Sequence, residues 1–397
     1  MPLDEALSSA YIHRLMKSIL IGSYLAMTAI AVTVNISPTC MTSLRETFSL
    51  SDTESGFLLS SIFWGFNLSL LVTGPLADRL GMRPLLTAAP GLQILGLFTC
   101  AAAFTRDFLV LGAFLMGIGS GILEVLVNPL VCMTCSSHKT RAINLCHAFY
   151  SIGAILSVLC ASFIMDTWGW RTAYVVGILP CLAYGWIYRR TPLPSLQGYG
   201  PKTSPGSSLL RRPLLWLFLL AMLLAGGTEL GPAQWTPVFL QDSFAIRGKN
   251  AALGLVLFSA AMAVGRLAMS RIASGKNCLF ILKFAALACC LFIFSASVSR
   301  HSLHAFGSVF LIGFFVSVFW PTLLSLSADT FPDGGATLFS LLGMAGNASG
   351  ILFPPLVGRI ADTWNLQIGF GFMALIPLAL GALLFVLDRE TVIKSGA

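Results

Sequence analysis

The feature that most narrows what this chain can become is a series of continuous apolar runs divided by short polar breaks. A run of about 20 apolar residues crosses the hydrocarbon core of a bilayer as a helix. A membrane β-barrel would instead alternate apolar and polar residues over segments of about ten, so these runs predict transmembrane helices. Charge agrees, because Asp, Glu, Lys and Arg make up 10% of the 397 residues, whereas a soluble domain carries about 25%. Too little charge is present to clothe a water-facing surface.

Spans are predicted near 18–44, 55–77, 84–104, 108–132, 142–165, 170–188, 213–240, 250–272, 278–298, 303–327, 336–357 and 367–387. The chain thus reads as an all-α membrane protein of twelve transmembrane helices. The first run lacks a small-x-small cleavage site and continues past the length of a signal-peptide core, so it reads as an uncleaved helix. The longest polar interruption, rich in Pro, Gly and Ser, separates an N-terminal six-helix bundle (1–188) from a C-terminal one (213–397), with 189–212 as a cytoplasmic linker.

With both termini cytoplasmic, fifteen of the 24 Lys and Arg fall on inner loops and tails and seven on outer loops, which satisfies the positive-inside bias. That bias also accounts for the net charge of +8. The basic residues are scattered and form no stripe for nucleic acid. The two halves echo each other at offsets of 191 to 197 residues: Leu44 and Phe48 with Leu240 and Phe244, Gly74-Pro75-Leu76-Ala77 with Gly265-Arg266-Leu267-Ala268, Asp166-Thr167-Trp168 with Asp362-Thr363-Trp364, Pro180 with Pro377, and Asn128-Pro129 with Trp320-Pro321. Two pseudo-symmetric bundles predict a ligand site at their interface, with access alternating as they rock.

Between spans two and three stands Gly74-Pro75-Leu76-Ala77-Asp78-Arg79-Leu80-Gly81-Met82-Arg83. This stretch resembles the signature of the major facilitator superfamily, which implies the major facilitator fold and secondary transport. Gly74 is expected to admit a neighbouring helix, and Asp78 to accept charge-assisted bonds near a helix N-terminus. With Gly81 in the turn, Arg79 and Arg83 are expected to tie a cytoplasmic gate. In the second half Met269 replaces the aspartate, so that latch is degenerate.

Span four carries Glu124 deep in an apolar run, with Asn128 one turn later on the same face. An ionisable residue there costs several kcal/mol unless neutral, paired or hydrated, and so marks a functional position. The run from Gly117 to Pro129 resembles the fucose-permease branch of the superfamily, largely proton-coupled sugar symporters. By that resemblance Glu124 takes part in proton coupling and sugar transport. Asn35-Ile36-Ser37-Pro38 stands where that branch places a second acid, and Ala113 where many proton antiporters of the superfamily carry an arginine.

Span seven supplies the other deep acid, Glu229, in Gly226-Gly227-Thr228-Glu229-Leu230-Gly231-Pro232-Ala233-Gln234-Trp235-Thr236-Pro237. Its pattern also resembles sugar-transporting relatives in that branch. The flanking Gly and Pro are expected to weaken the helix around Glu229. Low dielectric favours the neutral form of a carboxyl, so Glu124 and Glu229 are the candidate proton carriers. Carboxylates with nearby carbonyls also suit Na+, and the residues leave both ions open, with protons preferred.

Asn35, Asn128, Gln234, Trp235 and Trp320 are the candidate substrate contacts, amides for hydroxyl groups and indoles for a sugar ring. Other amides within spans, among them Asn67, Gln93, Asn144 and Asn347, read as helix glue or ligand contacts. His147, near a helix end, is expected to be solvated or to cap, with a proton shuttle as the alternative, and Arg266 and Lys283 to snorkel. The spaced cysteines predict no disulfide framework, and Cys132 with Cys135 lacks the further ligands of a metal site.

No motif for ATP hydrolysis or nucleophilic catalysis is present, so no enzyme and no cofactor beyond a coupling ion is expected. The sequence predicts a monomeric importer of a monosaccharide or derivative, in a bacterial inner membrane. A proton-driven exporter of amphipathic compounds, a sodium symporter and a non-transporting sensor are the alternatives.

Overall fold

The computed structural model describes residues 3–135, 139–193, 209–246, 248–272, 278–331 and 335–395. It is helical from end to end: α1 (Leu3–Phe48), α2 (Asp52–Leu80), α3 (Met82–Ala101), α4 (Arg106–Thr134), α5 (Lys139–Trp168), α6 (Trp170–Val176), α7 (Ile178–Arg190), α8 (Pro213–Phe244), α9 (Gly248–Ile272), α10 (Cys278–Ser297), α11 (Ser302–Val316), α12 (Phe319–Thr330), α13 (Gly335–Thr363), α14 (Leu366–Phe372) and α15 (Leu375–Ser395).

Three pairs form single rods with a local tightening. Gly177, Ser317 and Met373 keep right-handed helical dihedrals between the two members of each pair. At the last joint, Met373 and Ala374 donate to the carbonyls of Phe370 and Gly371 at 3.1 and 2.9 Å, the three-residue spacing of a 3₁₀ turn. Among the described residues ten helices, counting Ser302–Thr330 and Leu366–Arg389 as one each, are long and apolar enough to cross a membrane. The rod of α6 with α7, and α9, bring the rods to the twelve expected.

Large apolar side chains face outward along these rods, among them Phe98, Phe163, Phe280, Leu291 and Phe385. Continuous exposure of this kind suits hydrocarbon, which admits helices because most of their backbone groups bond internally.

The chain divides into two compact units. The first comprises residues 1–37 and 64–199, and the second 38–63 and 200–397. The second unit therefore takes in the last turns of α1 and the first of α2. Of the expected linker, 194–208 lies outside the described residues.

In the first unit α3 packs along α4 and α7, pinned by buried polar bonds. Gln93 on α3 donates to Ser120 Oγ at 2.9 Å and accepts from Tyr184 OH at 2.7 Å, while Ser120 also meets Thr33 Oγ1 at 2.9 Å. Gln93 is thus helix glue, each bond made where water is absent.

In the second unit α2 begins with a capping box: Ser51 N–H donates to Glu54 at 3.0 Å and Glu54 N–H to Ser51 Oγ at 3.2 Å. Asp362 on α13 accepts from the N–H groups of Asp52 and Thr53, both at 2.8 Å. The first amides of α2, which have no partner within the helix, are satisfied in this way.

Candidate functional site

Among the described residues each unit holds an acid deep inside its spans, Glu124 in the first and Glu229 in the second. In the first, Ser120, Glu124 and Asn128 form a seam along α4 at four-residue spacing. Ser120 is fully buried and spent on packing, whereas Glu124 and Asn128 are half-buried. Asn128 Nδ2 donates to the Glu124 backbone carbonyl at 3.4 Å, and its Oδ1 lies 3.1 Å from His147 Nε2. With Nδ2 committed to a carbonyl, Oδ1 is the acceptor and His147 Nε2 carries the hydrogen.

His147 is brought there by α5, which meets α1 through the stack of Phe149 on Tyr24, 4.5 Å between centroids and 3° between planes. The expectation of a solvated or capping His147 is corrected. Its position near the helix start reads as surface only while the neighbouring α4 is unknown. The Glu124 carboxylate itself has no hydrogen-bond partner among the described residues.

In the second unit Glu229 on α8 lies 3.7 Å from Arg266 Nη2 on α9, with side-chain exposures of 16% and 32%. Arg266 therefore turns inward to an acid where a snorkelling side chain was expected. Lys283 likewise forms an ion pair with Asp388 of α15 and lies 4.3 Å over the Phe385 ring. The Arg266 Nε is buried without a hydrogen-bond partner.

Its backbone is held by Gly265. A Cβ at that position would strike the Phe314 carbonyl oxygen and Ser317 Oγ at the joint of α11 and α12, so only glycine allows the two helices to approach this closely. The helix around Glu229 is not weakened as expected: α8 runs unbroken through Pro232 and Pro237. Each proline removes one internal bond and fixes φ near the helical value, and packing against α13, α9 and α15 carries the helix through.

The remaining candidates divide by burial. Asn35 is buried and donates to Ala31 O at 2.8 Å. Trp235 is wholly buried with Nε1 unpartnered, and Gln234 is 3% exposed with Oε1 unpartnered. Trp320 is half-buried, its ring lying where a Cβ at position 346 would stand.

At the signature loop, Gly81 precedes α3 with φ +79°, an extended positive-φ conformation that glycine adopts without strain and other residues do not. Arg83 Nη2 donates to the Arg189 carbonyl at 3.5 Å, tying α3 to the end of α7, and Arg79 is exposed. The Asp78 side chain lies outside the described residues. Gly74 admits no neighbour: no described atom lies within 4 Å of a Cβ there. The close approach expected of it occurs at Gly265, its counterpart in the repeat.

Sequence reasoning gave no role to Arg45 or to the capping function of Asp362. Arg45 pairs with Asp242 at 2.5 Å and Asp52 at 2.9 Å. The Asp-Thr-Trp repeat and the Ser-x-x-Glu box were the available signals.

Residues 19–336 match the family model described as Major Facilitator Superfamily. A cis,cis-muconate transport protein of Acinetobacter baylyi is 22% identical over 376 residues, covering 88% of this chain and 89% of that protein. A probable L-galactonate transporter of Escherichia coli is 26% identical over 357 residues, covering 81% and 77%.

Among solved structures, the nucleoside transporter NupG superposes with a TM-score of 0.79 at 13% identity, covering 94% of this chain and 99% of that one. A D-xylose-proton symporter gives 0.78 at 15% identity, covering 93% and 96%. These likenesses establish the fold. A family match over most of the chain, a shared fold and apolar helices long enough to span a bilayer make this a multi-pass secondary transporter of small solutes and not an enzyme: the chain belongs to the Major Facilitator Superfamily.

Proposed function

We propose that the protein imports a small hydroxylated solute, a sugar acid or other monosaccharide derivative, together with protons by alternating access. The observation that carries this reading is the Glu124 carboxylate, half-buried inside α4 and without a hydrogen-bond partner among the described residues. An ionised carboxylate left so in a membrane span is costly, and taking a proton removes the cost. Asn128, oriented by His147, bonds solute hydroxyls one turn away. Trp320 offers a ring face and Gln234 a free acceptor, while Asp78, Arg79, Gly81 and Arg83 form the gate.

The relatives named for cis,cis-muconate and L-galactonate favour a carboxylate-bearing solute, and the resemblance of spans four and seven to sugar symporters favours hydroxyl groups. Wholly buried Trp235 and self-bonded Asn35 serve packing in this reading. The protein acts as a monomer in a bacterial inner membrane with both termini cytoplasmic, as the distribution of basic residues supports.

Uptake into vesicles under an imposed inward proton gradient tests the proposal. Sugars, amino sugars and sugar acids are screened, and accumulation of one class, collapsed by a protonophore, is expected. Accumulation that follows a sodium gradient, or export of amphipathic dyes with no uptake of any solute, would overturn it.

A further inference from the structure

We propose that Glu229 and Arg266 form an exchange site for a carboxylate substrate: the anion takes the place of Glu229 on the Arg266 guanidinium, and Glu229 leaves the pair protonated. This deepens the transport reading and rests on it.

The pair is poorly consummated as it stands. A guanidinium offers five N–H donors in a planar fork that suits a carboxylate bidentately. Its contact with Glu229 is 3.7 Å, longer than a hydrogen bond, and Nε is buried with no partner. Donor capacity is therefore idle in a membrane span, where an unsatisfied donor is expensive. Both side chains retain exposure, 32% for Arg266 and 16% for Glu229, and ionisable groups within spans turn to the bundle interior or a water-filled cavity, not to lipid, where a small anion can reach them. The fork is presented from a fixed backbone, since Gly265 is packed against Phe314 and Ser317.

Charge balance makes the exchange obligatory. The resting site holds Arg266 as cation and Glu229 as anion, with zero net charge. After exchange it holds the cation, the substrate carboxylate and neutral Glu229, again zero. A carboxylate entering without a proton would leave one unpaired negative charge, and a proton entering alone would leave Arg266 unpaired. Either state incurs the penalty of an uncompensated charge at low dielectric.

Among the described residues Arg266 is the charged group facing Glu229. The other ionisable residues on helices packed against α8 lie towards helix ends: Lys249 on α9, His304 on α11, Asp329 on α12, Arg359 and Asp362 on α13, and Asp388 and Arg389 on α15.

The test is equilibrium binding to the full chain in nanodiscs, from about pH 5.5 to about pH 8. The probes are a panel of four- to six-carbon mono- and dicarboxylates, each beside its neutral counterpart. Binding that takes up one proton per anion weakens as pH rises, by up to about tenfold per pH unit. Glu229→Gln is expected to bind the carboxylate with no pH dependence. Arg266→Gln is expected to lose about ten- to a hundredfold in affinity, the loss of a charge-assisted contact, and Arg266→Lys to recover part of it. The double variant leaves no unpaired charge and serves as the folding control.

A flat wild-type profile, a slope that persists in Glu229→Gln, or undiminished carboxylate binding by Arg266→Gln overturns the exchange site. Proton-coupled transport of a neutral sugar with no carboxylate bound overturns it while the transport reading stands. Absence of proton movement with every solute overturns both.

Discussion

Arg45, in the last turn of α1, bonds Asp242 of α8 at 2.5 Å and meets Asp52, the first residue of α2, at 2.9 Å. One guanidinium thus gathers two acids from two other helices, beside the cap that Asp362 places on α2. Asp242 is over a third exposed, so solvent screening leaves that arm worth less than about 1 kcal/mol. Arg45→Ala strands Asp52 as well and is expected to cost about 1–2 kcal/mol, against a smaller loss for Asp242→Ala. Thermal unfolding of the two purified variants ranks them, and an equal loss would show that the Asp52 contact contributes nothing.

Asp362→Ala removes a carboxylate that accepts two helix N–H groups. The expected loss is about 1–2 kcal/mol, the range of a helix cap, with local fraying at the start of α2. Hydrogen exchange at residues 52–55 reads this directly. Unchanged protection there would mean that the Ser51 and Glu54 box suffices alone.

Gly265→Ala places a methyl group against a backbone carbonyl that cannot swing aside. Separation of α9 from the joint of α11 and α12 is expected, at about 1–3 kcal/mol, and with it a displaced Arg266. The same change at Gly74, which meets no described atom within 4 Å, is expected to be neutral. Melting temperatures of the pair separate the two glycines, and similar values would contradict the packing argument.

His147→Ala frees Asn128 Oδ1 and lets the amide turn, so a rise in KM of about tenfold is expected, the effect of one misplaced hydrogen bond. His147→Gln, which keeps an N–H donor, should restore much of it. Uptake kinetics of the two variants distinguish orientation from bulk packing, because equal loss in both would point to packing.

The architecture was legible because bilayer thickness and backbone satisfaction leave an apolar run little alternative to a spanning helix. The two acids were legible for the same reason: Glu124 and Glu229 stand out where charge is expensive. What the sequence did not disclose depends on neighbours in space. Arg266, near the end of α9, reads as a snorkelling residue, and only the approach of α8 shows that its long side chain meets Glu229. His147 reads as a surface residue until α4 is placed beside it. In α8 the prolines leave the helix unbroken because packing carries it through, whereas the joints at Gly177, Ser317 and Met373 each stand three or four residues before a proline, Pro180, Pro321 and Pro377, whose ring and missing N–H disturb the turn before them.

The central claim, proton coupling at Glu124, is met most directly by recording external pH while solute is added to proteoliposomes holding the wild type or Glu124→Gln. Solute-dependent alkalinisation outside is expected for the wild type, and a smaller one, carried by Glu229 alone, for a variant that keeps its fold and still binds solute. Full alkalinisation by Glu124→Gln would contradict it.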